Sequence, residues 1–85
     1  MRSKLKGGYN SMQLSETLRT IRQKAFLSQE EFAKELSVSA STINRWETGK
    51  VKPNLTALKK LSSFCEEHNL PYDAIENAWF CNTSN

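Results

Sequence analysis

The chain has 85 residues, 38% of them hydrophobic and 25% charged, with a formal charge of +3. That length suits one small domain that folds without disulfides or a metal. No apolar run approaches the ~20 residues that cross a bilayer, and no apolar signal core opens the chain, so a cytoplasmic protein is expected. Two Pro and three Gly in a helix-periodic sequence point to an all-α fold.

Residues 1–11 lack periodicity and carry Arg2, Lys4 and Lys6. They read as a flexible basic arm or, in part, a cloning remnant, with Met12 a possible natural start. The folded domain is expected over residues 12–80. Its first helix spans about Met12 to Ala25, where Leu14, Leu18, Ile21 and Ala25 form one apolar stripe and Arg19, Arg22 and Lys24 lie off it.

Two short helical patterns follow within Leu27 to Lys50. Ser28 caps the first, and Glu31 completes a Ser-x-x-Glu capping box. Phe32, Ala33 and Leu36 form its inner face, with Ala33 small enough for a close helix crossing. Three residues, Ser37-Val38-Ser39, make the connection, a helix-turn-helix spacing. Ser39 caps the second helix, whose inner face is Ile43 and Trp46. Gly49 ends it in the left-handed conformation.

The next segment, Lys50-Val51-Lys52-Pro53-Asn54, is a basic loop in which Asn54 is a good N-cap. A fourth helix is expected from Leu55 to His68, burying Leu58, Leu61, Phe64 and Cys65, with His68 beside its last carbonyls. A fifth should run from Pro71 to Phe80, burying Ile75 and Trp79, with Ala74 and Ala78 allowing close approach. Residues 81–85 read as a frayed tail.

Charge is distributed unevenly. All 12 Lys and Arg fall in residues 1–60 against five acids, a balance of +7, whereas residues 61–85 hold four acids and no Lys or Arg. Such a division suits one side that meets phosphates and another that avoids them.

Residues from about Leu14 to Trp79 resemble the Cro/repressor-type helix-turn-helix domains, the XRE family. The resemblance is carried by Ser28-Gln29-Glu30-Glu31-Phe32-Ala33, by Ile43-Asn44-Arg45-Trp46-Glu47-Thr48-Gly49-Lys50, by Pro53 and by the Leu58/Leu61 pair. It implies a compact five-helix, lambda-repressor-like DNA-binding domain, with the recognition helix at about residues 39–48 in the major groove. One position departs from the family pattern. Ser37 stands where Gly is usual, which implies a slightly strained turn.

The resemblance also implies roles for particular residues. Arg22 and Glu47 hold the places of an ion pair that braces the recognition helix. Gln29, at the start of the first motif helix, would meet a DNA phosphate. Ala40 and Ser41 occupy base-reading positions, although a methyl and a hydroxyl are weak readers. Arg45, on the exposed face, suits a bidentate contact to guanine or a phosphate, and Asn44 a base or a phosphate. Ser39, Thr42, Thr48, Lys50 and Lys52 are assigned to the phosphate backbone.

Other chemistry is poorly supported. Cys65, His68 and Cys81 lack a fourth ligand and a Cys-x-x-Cys pair, so no metal site is assigned. No cofactor is implied, and no nucleophile, base or phosphate-loop constellation suggests an enzyme. The sequence therefore reads as a small transcriptional regulator, a repressor by default, binding double-stranded DNA. One helix reads few base pairs, so a homodimer on a palindromic operator is expected, with Trp79 and Phe80 as its contact. The alternative is an antitoxin-type module that neutralises a toxin or other protein partner and autoregulates its promoter.

Overall fold

The computed structural model describes residues 13–83. Five helices follow one another: α1 (Leu14–Lys24), α2 (Gln29–Leu36), α3 (Ala40–Glu47), α4 (Leu55–Glu67) and α5 (Asp73–Thr83). Among the described residues no strand occurs, and no helix is long and apolar enough to cross a membrane. The arm at residues 1–11 lies outside the described part.

The helices begin where short polar side chains replace missing backbone partners. Ser28 accepts from the Glu31 N–H, and the Glu31 carboxylate accepts from the Ser28 N–H at 2.9 Å, a complete capping box. Ser39 accepts from the Thr42 N–H, and Asn54 from the Ala57 N–H. Each cap satisfies one of the donors that a helix start leaves orphaned.

Four helices end by a common device. The N–H of Leu27, Val38, Lys50 and Leu70 returns five residues to the carbonyl of Arg22, Ala33, Arg45 and Cys65 respectively. Each time the residue before it takes a left-handed conformation: Phe26 (φ 60°), Ser37 (57°), Gly49 (81°) and Asn69 (56°). This is the Schellman termination, in which an apolar residue after the left-handed one commonly seats on the helix it closes. Leu27, Val38 and Leu70 do pack against the core. The corners are consequently short, and the left-handed turn expected at Ser37 is present.

The core lies where α1 to α4 converge and α5 closes one side. Leu18, Phe32, Leu36, Ile43, Leu61 and Ile75 are fully buried. Phe32 and Phe64 meet edge to face with centroids 5.0 Å apart, an arrangement that suits their quadrupoles. α3 packs on both α1 and α2, α4 on α2, and α5 on α1. Cys65 is buried among these groups, and desolvation pushes its thiol up to about 11.

The fifth helix differs most from expectation. Pro71 precedes it rather than opening it, and its first backbone bond runs from Glu76 N–H to the Tyr72 carbonyl. It continues through Thr83, so residues 81–83 are helical rather than frayed. Ile75 and Ala78 are buried and Trp79 is half-buried, but Ala74 is exposed and takes no part in a close approach. α1 and α4 are also slightly shorter than expected, ending at Lys24 and Glu67.

Ser37 carries a side chain in a conformation that glycine adopts freely. Ser37→Gly should therefore stabilise the fold by about 0.5–1 kcal/mol. Urea denaturation of the two proteins measures this directly, with an unchanged slope expected.

Candidate nucleic-acid interface

The site is built around α3, an eight-residue helix with two different faces. Inward it sets Ile43, Trp46 and Glu47 into the protein, and outward it exposes Ser41, Asn44 and Arg45. The inward face contains the only fully buried carboxylate of the described residues, since the Glu47 side chain is 2% exposed. Its Oε2 accepts from Arg22 Nε at 2.7 Å, and its Oε1 from Arg22 Nη2 and Gln29 Nε2, both at 3.0 Å. Arg19 Nη2 donates to the Glu47 carbonyl at 3.2 Å. Hydrogen bonding to this carboxylate, opposed by burial, pushes the Arg22 guanidinium above its ordinary value.

The structure thus brings together Arg22 and Glu47, and adds two partners that periodicity did not reveal. Gln29 directs its amide nitrogen to Glu47 instead of outward. Its second amide N–H and the positive end of the α2 dipole are what remain for an anion. Arg19 stands one turn before Arg22 on α1, a spacing that places both on one face. Arg22 Nη1 also donates to the Leu27 carbonyl at 2.9 Å, so one guanidinium ties the α1–α2 corner to the end of α3.

On the outer side, the residues assigned to DNA fall into two groups. Asn44 and Arg45 are exposed, with no side-chain partner among the described residues. Ser41 and Lys50 are likewise exposed, whereas Gln29, Ser39, Thr42, Thr48 and Lys52 are engaged within the protein. Ser39 Oγ lies 2.9 Å from Thr42 Oγ1 while capping α3, and Thr48 Oγ1 donates to the Asn44 carbonyl at 2.9 Å. One proton of the Ser39 and Thr42 hydroxyl pair stays available for a phosphate oxygen, whereas Thr48 has its single proton on the Asn44 carbonyl. Ala40 is half-buried and packs against the core, whereas Ser41 is exposed.

After Gly49 the basic loop curves past the start of α1. Gln13, Leu14, Ser15, Trp46, Gly49, Lys50, Val51 and Lys52 line a shallow groove there of about 310 Å³. Lys50 is exposed, and Lys52 sets its Nζ 4.1 Å from the Trp79 ring centroid, a cation–π contact. Trp79 in turn donates its indole N–H to the Pro53 carbonyl at 2.6 Å and meets Phe80 edge to face at 5.3 Å. Phe80 is 60% exposed, and Leu55 and Val51 are exposed apolar residues of the preceding loop and helix start.

Cys65, His68 and Cys81 are not gathered into one group of donors. His68 instead lies 3.2 Å from Glu35 and stacks beside Phe64, tying the end of α2 to that of α4. Sequence reading also passed over Phe26. It is 92% exposed in a left-handed backbone conformation, and its aromatic bulk gives no hint of such a turn.

Two helices joined at a steep corner, the second offering an exposed polar face, define a helix-turn-helix domain. The pattern of the helix-turn-helix family matches residues 18–68, and the chain belongs to that family, the Cro/repressor (XRE) type of DNA-binding transcription regulator. This is a regulator class and not an enzyme class. Over 53 residues the chain is 42% identical to the HTH-type transcriptional activator BcrR of Enterococcus faecalis. That match covers 62% of this chain and 26% of the relative, so the chain spans about a quarter of its length. The fold is similar to that of the P22 c2 repressor, solved in complex with a synthetic operator in the presence of Tl+. There the TM-score is 0.64 and the identity 25%, covering 76% of this chain and 94% of the repressor chain.

Removing the cation from the buried pair leaves a desolvated carboxylate. Arg22→Met should destabilise the protein by about 3 kcal/mol, and Arg22→Lys should recover only part of it because one ammonium cannot reproduce the fork. Chemical denaturation of both variants measures the difference.

Proposed function

We propose that this protein is a sequence-specific double-stranded DNA-binding regulator that acts as a homodimer on a palindromic operator. The observation that carries the reading is the division of α3: Glu47 anchors one face, while Asn44 and Arg45 stand exposed on the other with no side-chain partner among the described residues. A helix fixed behind and polar in front suits insertion into a major groove. The operator complex of the similar c2 repressor supports the same use.

In this reading Arg45 is the principal base reader, with Asn44 and Ser41 secondary and Ala40 limited to a methyl contact. Lys50, Lys52, Ser39, Thr42 and the start of α2 at Gln29 meet phosphates, as does Thr48 once its hydroxyl turns from the Asn44 carbonyl. Lys52 reaches them from its place over Trp79. Repression is the default mode, since occupancy of an operator suffices to block access, whereas activation requires a further contact. DNA being the target, the domain works in the cytoplasm. Phe80, exposed on a helix with no Lys or Arg, forms the dimer contact, and Trp79 supports it from the protein side.

Selection from randomised duplexes at roughly 150 mM salt tests the reading, because bulk phosphate attraction is then screened. A two-fold symmetric site should emerge. Arg45→Ala should weaken binding to it by about 1–3 kcal/mol and relax one position in each half. Lys50→Ala should weaken all sequences alike and lower the salt slope by about one. Weak, sequence-independent binding by the wild type would reject the proposal.

The dimer is tested separately. Phe80→Glu should leave the monomer folded, shift sedimentation toward the monomer and abolish preference for the symmetric site over a half-site. Unchanged sedimentation would exclude Phe80 from the contact.

A further inference from the structure

The end of α1 explains the left-handed backbone at residue 26, but the fold gives no use for an aromatic side chain there. Phe26 is 92% exposed, more than Leu55, Phe80 or Val51, the other exposed large apolar residues among those described. Its backbone sits at φ 60°, where a side chain of this size is disfavoured and glycine is at ease. The apolar seat of the corner is taken by the next residue, Leu27. Strained conformations of this kind persist where surrounding contacts impose them, and they gather at functional positions.

The corner that bears Phe26 is tied down by hydrogen bonds. Phe26 N–H donates to the Gln23 carbonyl at 3.0 Å and Leu27 N–H to the Arg22 carbonyl at 3.2 Å. The Arg22 guanidinium then holds the Leu27 carbonyl and the Glu47 carboxylate together. Phe26 is therefore presented in fixed register with α3, three residues before Gln29 at the start of α2, with exposed Lys24 two residues behind it.

We infer that Phe26 is a DNA-contacting side chain that lies against the sugar–phosphate edge of the duplex beside the half-site held by α3. The inference rests on the operator reading above and adds a contact of a different kind. Deoxyribose presents an apolar surface between phosphates, and an aromatic ring buries against it without any donor or acceptor. Such a contact contributes affinity and carries no base code. Having no charge, it displaces no counterion and leaves the salt slope unaltered.

The test compares wild type, Phe26→Gly and Phe26→Asn, since both replacements tolerate the left-handed turn. Thermal unfolding without DNA and anisotropy titration of a labelled duplex carrying the selected site are measured across a range of salt. Both variants should melt higher, by roughly 4 °C or more for the glycine. Both should bind about tenfold more weakly, with the wild-type salt slope and the wild-type preferred sequence. Affinity within twofold of wild type in either variant overturns the inference and leaves the ring to a protein contact. Lower melting in both variants also overturns it, because the ring would then serve the fold. Absence of any preferred site for the wild type is a failure of the operator reading itself, visible before a variant is made, and the inference falls with it.

Discussion

The Glu47 carboxylate is the point on which the arrangement of the helices depends. A charge removed from water costs several kcal/mol unless its lone pairs are met by well-placed donors. Here three N–H groups from α1 and α2 converge on it, and a fourth reaches its backbone carbonyl. Apolar packing alone is non-directional and tolerates small rotations of one helix on another. The planar guanidinium fork tolerates few, because both of its bonds have to be met at once. α3 is thereby fixed in rotation as well as position, which decides which side chains face outward. The same fork holds the α1–α2 corner, so a single buried pair sets the geometry of both elements of the motif.

Much of the fold was legible because its signals are local. Ser28 with Glu31, Ser39 and Asn54 stand in the sequence as caps and serve as caps. The stripes on α1 to α4 repeat at helical spacing, and their residues are buried except Ala25, which is half-buried just past α1. Gly49 announces its left-handed turn. Ser37 does so only through its place in a recognised pattern, and Phe26 not at all, since an aromatic residue carries no propensity for positive φ. There the short connection and the seating of Leu27 impose the conformation on an unsuitable side chain. Local propensity loses to tertiary geometry at that corner.

The last helix and the finer parts of the site were harder to read for a related reason. Proline suits a first helical turn, yet at Pro71 the chain is still completing its passage from α4, and the helix starts only at Asp73. α5 buries a narrow face of Ile75 and Ala78 with half of Trp79, so small size at Ala74 did not signal burial. Gln29 and Lys52, both expected at phosphates, each have an attachment within the protein, to Glu47 and to the Trp79 ring. Those attachments join residues 18 and 27 positions apart, beyond anything periodicity reports. The brace itself was accessible only because Arg22 and Glu47 occupy matching places in a known pattern.

The small residues at the start of α3 bear on how many copies the proposed operator complex requires. A good bidentate contact discriminates by about 1–3 kcal/mol, whereas specific binding exceeds non-specific binding by about 4–10 kcal/mol. Ala40 offers a methyl group and is half-buried, and Ser41 accepts or donates with several bases, so neither adds strong discrimination. Asn44 and Arg45 remain, and two such contacts supply about 2–6 kcal/mol, which reaches only the lower part of that span. Two copies double the direct contacts and add none of the cost of a second fold. The basic loop cannot make up the difference, because phosphate attraction at Lys50 and Lys52 raises affinity for every sequence equally. In that reading, symmetry follows from the modest chemistry of the recognition helix: a face too weak to choose its site alone has to be used twice.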